Sequence, residues 1–512
     1  MSSASIHPEA DTGTAKLRLS QRAPWQVLVL TAVYVLPAFL CLRHAWVGDL
    51  DIWWHMKAGQ WILHHNAFPY SDPFSSYAAG KTWIAYSWLF DLIVLKAYGW
   101  LGLNGVVAYT AGMLVAITMA YHRLIRRAGI GLTPGVLLTL AAVLCIAPLW
   151  TARSWMFSIL LFTVQLDVLV QARRSGGTRE LWCLPAIYVL WANVHIQFID
   201  GLVVLAIAVL EAAFAYWWDR SQTPIGFGRT AGVFAACAGA VLVNPYGFGI
   251  YTTAYGLASQ QGVLNSLVEL RAMPFRDIFD YGVVFLAFGA VAALARARSR
   301  RLFECVLLLF SVVVSFRSQR DVWILVTVSA AIMAAGSADD RSGETACKAW
   351  AAPAASLLAV IVAILGFAAF HVNNGRLAKK LGETLPVHAA EFVRTNNIQG
   401  SLFNNYDWGG YLMWSTDLPV SIDGRAELVG DGLFHQSAAT WAGAPDWACD
   451  PQLQKAQLVI GPVTAPLTQL LRLNSHFKLA YEDKLAAVFV VQVPSSTDPA
   501  DGPVPLPCTS GR

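Results

Sequence analysis

Apolar stretches of about 15–21 residues recur along most of this chain, each closed by a short charged or polar joint. That recurrence constrains the fold more than any other feature. A helix needs about 20 mainly apolar residues to cross the ~30 Å hydrocarbon core of a bilayer. Candidate spans are 25–42, 131–149, 154–171, 181–198, 201–218, 230–247, 281–295, 302–316, 322–338 and 350–370. Only 13% of the 512 residues are charged. That is about half of what soluble domains carry, and too little to cover a globule of this size. The 20 Trp, 16 Tyr and 25 Phe suit a chain with many membrane interfaces. A disordered, fibrous, disulfide-stapled or single soluble domain is excluded. The expected class is a polytopic α-helical membrane protein. The net charge of +4 follows from positive-inside bias, and no basic run is interleaved with aromatics, so no nucleic-acid partner is expected.

Basic residues orient the spans. Lys16, Arg18 and Arg22 precede the first, so residues 1–24 read as a cytoplasmic tail and the span as a retained anchor. The joints carrying Arg123, Arg126 and Arg127, then Arg173, Arg174 and Arg179, then Arg220 and Arg229, then Arg296, Arg298, Arg300 and Arg301 read as cytoplasmic. The alternate joints 150–153, 195–200, 244–280 and 316–321 then face outward, as does everything after 370. Both 83–99 and 104–122 are long enough to span, yet two crossings there would put the Arg123–Arg127 cluster outside. One net crossing is expected, giving about eleven spans over residues 25–370, with a first outer loop at 48–82.

Composition changes after 371. Residues 386–395 read as a helix, and 401–403, 418–422, 457–460, 477–481 and 486–493 as strands, so 371–493 should form a small α/β extracytoplasmic domain. Residues 494–512 read as an irregular tail. Cys41, Cys145, Cys183, Cys237 and Cys305 lie in apolar stretches and read as core, while Cys347 falls in a cytoplasmic joint. Cys449 and Cys508 are the two in the outer tail, a pair that an oxidising compartment would allow to bond.

The most informative segment follows the first span: Gly48-Asp49-Leu50-Asp51-Ile52-Trp53-Trp54-His55, then His64, His65 and the turn Tyr70-Ser71-Asp72-Pro73. Two carboxylates at a membrane surface call for pairing, hydration or use. One can serve as a base while the other orients it or helps hold a divalent cation, Mg or Mn. The plain structural reading is a helix cap followed by an aromatic belt. The outward joints are unusually polar. They hold Arg153; Asn193, His195, Gln197 and Asp200; Asn244-Pro245-Tyr246-Gly247; Glu269 and Arg271; and Arg317, Gln319, Arg320 and Asp321. Arg on the outer side runs against positive-inside bias, so each needs a reason. Either these Arg pair with Glu269 and Asp321, or they hold an anion.

The acidic segment resembles the GT-C superfamily of membrane glycosyltransferases, whose first long outer loop carries an acidic motif just after the first helix. Asp51-Ile52-Trp53-Trp54-His55 is similar to the "DPYYHY" segment of oligosaccharyltransferase catalytic subunits. It corresponds in position to the "DE" of protein O-mannosyltransferases and aminoarabinose transferases. No Pro follows Asp51 and no Glu adjoins it. Asn404-Asn405-Tyr406-Asp407-Trp408-Gly409-Gly410-Tyr411-Leu412 resembles the "WWDYG" motif of oligosaccharyltransferases in part, and 420–427 follows as a polar turn. The resemblance implies a lipid-linked donor, a polyprenyl-phosphate sugar, and an acceptor glycan, lipid or protein at the outer face of a bacterial inner membrane. It implies Asp51 and Asp49 as catalytic groups, with His55 and Asp72 beside them in the loop. It also implies Arg153, Arg320, Arg317, Arg271 or His195 at the donor phosphate, and Tyr406, Asp407, Trp408, Tyr411, Asp423 and Arg425 toward the acceptor. A transporter or flippase for a lipid-linked substrate would use the same polar joints, but would carry internal repeats. A non-catalytic envelope assembly protein would leave Asp49 and Asp51 dispensable. No Walker-type loop, Rossmann fingerprint, HExxH or paired CxxC occurs, and His55, His64 and His65 lack zinc spacing.

Overall fold

The structure, a computed structural model, describes residues 12–219, 225–259, 268–297, 302–337, 350–492 and 508. Cys347, Arg220, Arg298, Arg300 and Arg301, and the tail apart from Cys508, lie outside the described residues.

The chain is a polytopic helical membrane protein. Among the described residues seven helices are long and apolar enough to cross a bilayer: Pro24–Arg43, Leu103–Arg127, Trp155–Ser175, Phe198–Trp218, Ile278–Ala295, Gln319–Ser337 and Ala351–Ala369. Leu132–Cys145, Leu184–Val194, Phe227–Val241 and Leu302–Arg317 are helical at the other expected spans but shorter. The expected total of eleven is thus not reached by length alone. Side chains such as Phe285 and Phe288, 73% and 70% exposed, would be costly in water and suit a lipid-facing surface. The first helix begins at Thr12, so much of the expected tail continues the span as helix.

The ambiguous region forms two helices. Leu103–Arg127 has 25 residues, whereas Trp88–Leu101 has 14 and reaches only about 21 Å at 1.5 Å per residue. The bend between them is at Gly102, whose φ of +63° suits a residue without Cβ. Asn374 clamps the bend: its amide donates to Leu101 O at 3.0 Å and accepts from Asn104 N–H at 2.9 Å.

After the last span, four strands form one sheet: β1 Leu402–Asn404, β2 Leu458–Pro462, β3 Phe477–Glu482 and β4 Ala486–Val491, in the order β1-β2-β4-β3. β1 runs parallel to β2, and β4 is antiparallel to both of its neighbours. Alternation splits the sheet faces. Phe403, Val459 and Phe489 pack on Trp441, Leu467 and Leu471. Leu402, Leu458, Ile460 and Val488 join a larger core with Trp53, Trp54 and Leu30 of the first loop and first span. The expected strand 418–422 is a correction: Val420 makes only isolated bridges, to Leu402 and to Ser75 of the first loop. Cys183 and Cys305 are exposed rather than core, and Cys449 is disulfide-bonded to Cys508.

Candidate active site

The helix Ile52–His65 follows the acidic segment. Asp49 Oδ1 accepts the Asp51 N–H at 2.9 Å, a local turn that starts the helix and aims both carboxylates the same way. Their target is Arg153, in the joint before helix Trp155–Ser175. Arg153 Nε donates to Asp49 Oδ2 at 2.5 Å, and Nη1 lies 2.6 Å from Asp51 Oδ2 and 3.4 Å from Glu269 Oε1. Its guanidinium sits over the Trp155 ring, 4.8 Å from the centroid, and Tyr109 OH donates to its carbonyl at 2.9 Å. Residues 104 positions apart in the chain thus meet in one site.

Arg320 completes the cationic side. Its Nη1 is 3.8 Å from Glu269 Oε1, and its buried Nε has no hydrogen-bond partner among the described residues. Nearby, Gln197 Nε2 donates to Asp321 Oδ1 at 2.6 Å, while the buried Gln197 Oε1 is likewise unpartnered. His195 is buried against Ser158 Oγ at 2.7 Å. Burial, then Arg320 and Arg153, hold it well below the usual imidazole range, so it is neutral. The expected pairing with Glu269 holds for Arg153 and Arg320. Asp321 is held by Gln197 instead. Arg317 reaches Ala258 O at 3.3 Å on the exposed side, and Arg271 is exposed, its carbonyl accepting from Gln319 N–H.

Burial pushes the Asp51 carboxyl up to about 7; Arg153 opposes this, while Asp49 and Glu269 add to it. Its side chain is 17% exposed, which leaves it within reach of a small reacting group. One helical turn on, His55 Nδ1 is 2.6 Å from Asp91 Oδ1, and its ring is stacked on Trp54 at 3.6 Å. Burial, Arg153 and His195 hold His55 well below its usual range.

The domain that follows the last span forms the roof. Tyr406 is half-buried against Phe434; burial raises its phenol, with Asp51, Asp423 and Glu269 adding to the push. Trp408 donates its Nε1–H to Thr384 O at 3.1 Å within the domain, while Tyr411 meets Trp53 edge-on at 5.0 Å and so seats the domain on the acidic helix. Asp407 is exposed. A Cβ on Gly410 would come within 3.0 Å of Leu50 O, and one on Gly424 within 1.9 Å of Asp51 Oδ1. Arg425 is fully buried. It donates to Asp72 Oδ1 at 2.6 Å and to Asp423 Oδ2 at 2.7 Å, between the rings of Trp83 and Phe74. Asp72 and Asp423 therefore hold loop and domain together around a buried cation, and neither they nor Arg425 faces an open surface.

Sequence reading missed three residues here. The Tyr86 phenol is raised by burial and by Glu427, with Arg320, Asp51 and Asp91 also acting on it. Glu427 accepts from Trp83 Nε1–H at 3.1 Å. Asp91 was the traceable one, a lone acid within an apolar run. An apolar groove of about 550 Å³ opens between Phe198–Phe214, Phe227–Val241 and Gly249–Ser259, starting at Ile199, four residues from His195.

Among the described residues no group of three His, Cys, Asp or Glu side chains is arranged to hold a metal ion. Asp49 and Asp51, the expected cation ligands, already share Arg153, so they do not fit one without displacing the guanidinium.

No protein-family model matches the chain, and no curated protein matches it by sequence. Solved structures do. The oligosaccharyltransferase of Archaeoglobus fulgidus tethered with an acceptor peptide is 12% identical with a TM-score of 0.53, over 86% of this chain and 69% of that one. Its apo form gives 12% and 0.51, over 86% and 70%. ArnT from Cupriavidus metallidurans bound to undecaprenyl phosphate gives 14% and 0.48, over 92% and 99%. The chain thus shares the fold of the Archaeoglobus fulgidus oligosaccharyltransferase, with an acidic loop behind the first span roofed by the domain that follows the last span.

Proposed function

We propose that this protein is a membrane glycosyltransferase that moves a sugar from a polyprenyl-phosphate-linked donor to an acceptor at the outer face of a bacterial inner membrane. The observation that carries this reading is the closed site itself: Asp51 and Asp49 bound to Arg153, with the buried Arg320 Nε left unmatched beside them. Asp51 takes the proton of the acceptor hydroxyl or amide, a role suited to a carboxyl held near neutrality. The acceptor attacks the anomeric carbon, the bond to the lipid phosphate breaks, and the phosphate leaves toward Arg320. Arginine suits that task because its planar fork matches phosphate oxygens. Arg153, already bonded to two carboxylates, positions them. The apolar groove that begins at Ile199 offers a bed for the isoprenoid chain.

In this reading residues 371–493 form the outer domain that closes over the acceptor, and Tyr406 and Tyr86 are its nearest contacts. The acceptor is a glycan, lipid or protein. The test is mass spectrometry of envelope glycans and glycoproteins in cells with the protein, without it, and with Asp51→Asn. Loss of one sugar modification without the protein, restored by the wild type and not by Asp51→Asn, is expected. An unchanged profile, or a fully active Asp51→Asn chain, overturns the proposal.

A further inference from the structure

We propose that the guanidinium of Arg153 is this site's built-in cation, standing where a divalent metal would otherwise bridge Asp49 and Asp51. The inference concerns the same site as the proposed function, but its test needs neither donor nor acceptor.

The spacing Asp49-x-Asp51 and the turn between them aim two carboxylates at one point, as a cation pair would need. That point is filled. Asp49 Oδ2 and Asp51 Oδ2 lie 2.5 and 2.6 Å from two nitrogens of Arg153, and Glu269 stands third at 3.4 Å. The arginine is not a mobile surface side chain. Its own N–H bonds Thr151 O at 2.8 Å, its carbonyl takes the Tyr109 hydroxyl, and its guanidinium rests on Trp155. Trp155 in turn is fixed by its Nε1–H to Leu149 O at 3.1 Å.

On the other side of Asp51 the space is too narrow for a hydrated ion, although the side chain keeps 17% exposure toward a small reacting group. Gly424 is so near Oδ1 that even a methyl group would collide with it. A magnesium-like ion demands near-octahedral oxygens at about 2.0–2.1 Å and keeps several waters. Here one face of the carboxylate meets backbone and the other meets guanidinium. A fixed arginine holds its charge at all working pH values and needs no hydration shell. Removing that charge leaves Asp49 and Asp51 side by side without the counterion they share, and Glu269 keeps only Arg320 at 3.8 Å, an arrangement that recruits a divalent cation.

The experiment is Mn²⁺ binding to the purified full chain in detergent, followed by the electron paramagnetic resonance signal of free Mn²⁺. The wild type should leave that signal unchanged. Arg153→Met should bind one Mn²⁺ per chain at least ~10-fold more tightly than the wild type, and lose it again when Asp51→Asn is added. Arg153→Lys, which keeps a positive charge at the same place, should exclude the metal as the wild type does. The proposal is overturned if the wild type itself binds Mn²⁺ and Asp51→Asn abolishes that binding. Because the wild type supplies the overturning result, a poorly folded variant cannot protect the idea. A chain that transferred no sugar at all would leave this measurement intact.

Discussion

The Asp51 carboxylate lies directly against the Cα of Gly424, so close that a Cβ at 424 would stand 1.9 Å from Oδ1. The roof of the site and its acidic floor are therefore in van der Waals contact, and the fit depends on glycine. Gly424 is not in a positive-φ conformation, so alanine carries no backbone penalty there. Gly424→Ala should push Asp51 off Arg153 and lower kcat by ~100-fold, since a displacement of about 1 Å can cost that much. Thermal unfolding in detergent should change little. Unaltered transfer by Gly424→Ala would separate Asp51 from the reaction.

The pH profile carries a sign. A carboxyl whose pKa is raised to about 7 is protonated and useless as a base below that value and ionised above it. Transfer should therefore rise as pH passes through about 7. Asp49 is one of the groups that push Asp51 up, so Asp49→Asn should move the rise to lower pH. Rates across the range at saturating donor check both statements. A flat profile, or a shift to higher pH, would contradict them.

The spans were legible because a bilayer crossing requires a long apolar run, and such a run is visible in one dimension. Asp49, Asp51 and Arg153 were each legible as polar residues in costly places. Their pairing was not, because 104 positions separate Asp49 from Arg153 and only the packed bundle brings them together. Asp423 and Arg425 mislead for a related reason. A polar turn reads as a surface, yet this one is folded inward around Asp72, 353 positions away from Arg425. Segment 418–422 looked like a strand from its alternation, but Val420 finds partners only at single residues and the ladder never extends.

The Arg425 cluster should behave as a structural joint. One guanidinium is fully buried between two carboxylates that are themselves buried. Removing one member of such a cluster leaves uncompensated charge in a dry place, at a cost of ~3–5 kcal/mol. Arg425→Met should lower the unfolding temperature of the whole chain. Asp72→Asn should do so less, because Asp423 still holds the arginine through Nε and Nη2. Scanning calorimetry of the purified variants orders them. Equal losses would mean that the loop contact outweighs the bond within the domain.

Arg320 and Arg317 stand three residues apart in sequence and separate the phosphate assignment from general surface charge. Arg320 is mostly buried beside Glu269 with an unmatched Nε, whereas Arg317 lies on the exposed side against Ala258 O. A charge-assisted hydrogen bond to phosphate contributes roughly 1.5–3 kcal/mol, which corresponds to about 10- to 100-fold in affinity. Arg320→Ala should therefore raise the KM for a polyprenyl-phosphate sugar by ~10- to 100-fold, with Arg320→Lys recovering part of it. Arg317→Ala should change the KM by less than about twofold, as a screened surface charge does. Titration of short-chain donor analogues against the three variants reads both effects. Equal losses at 317 and 320 would place the phosphate outside the pocket, on the exposed face of the joint.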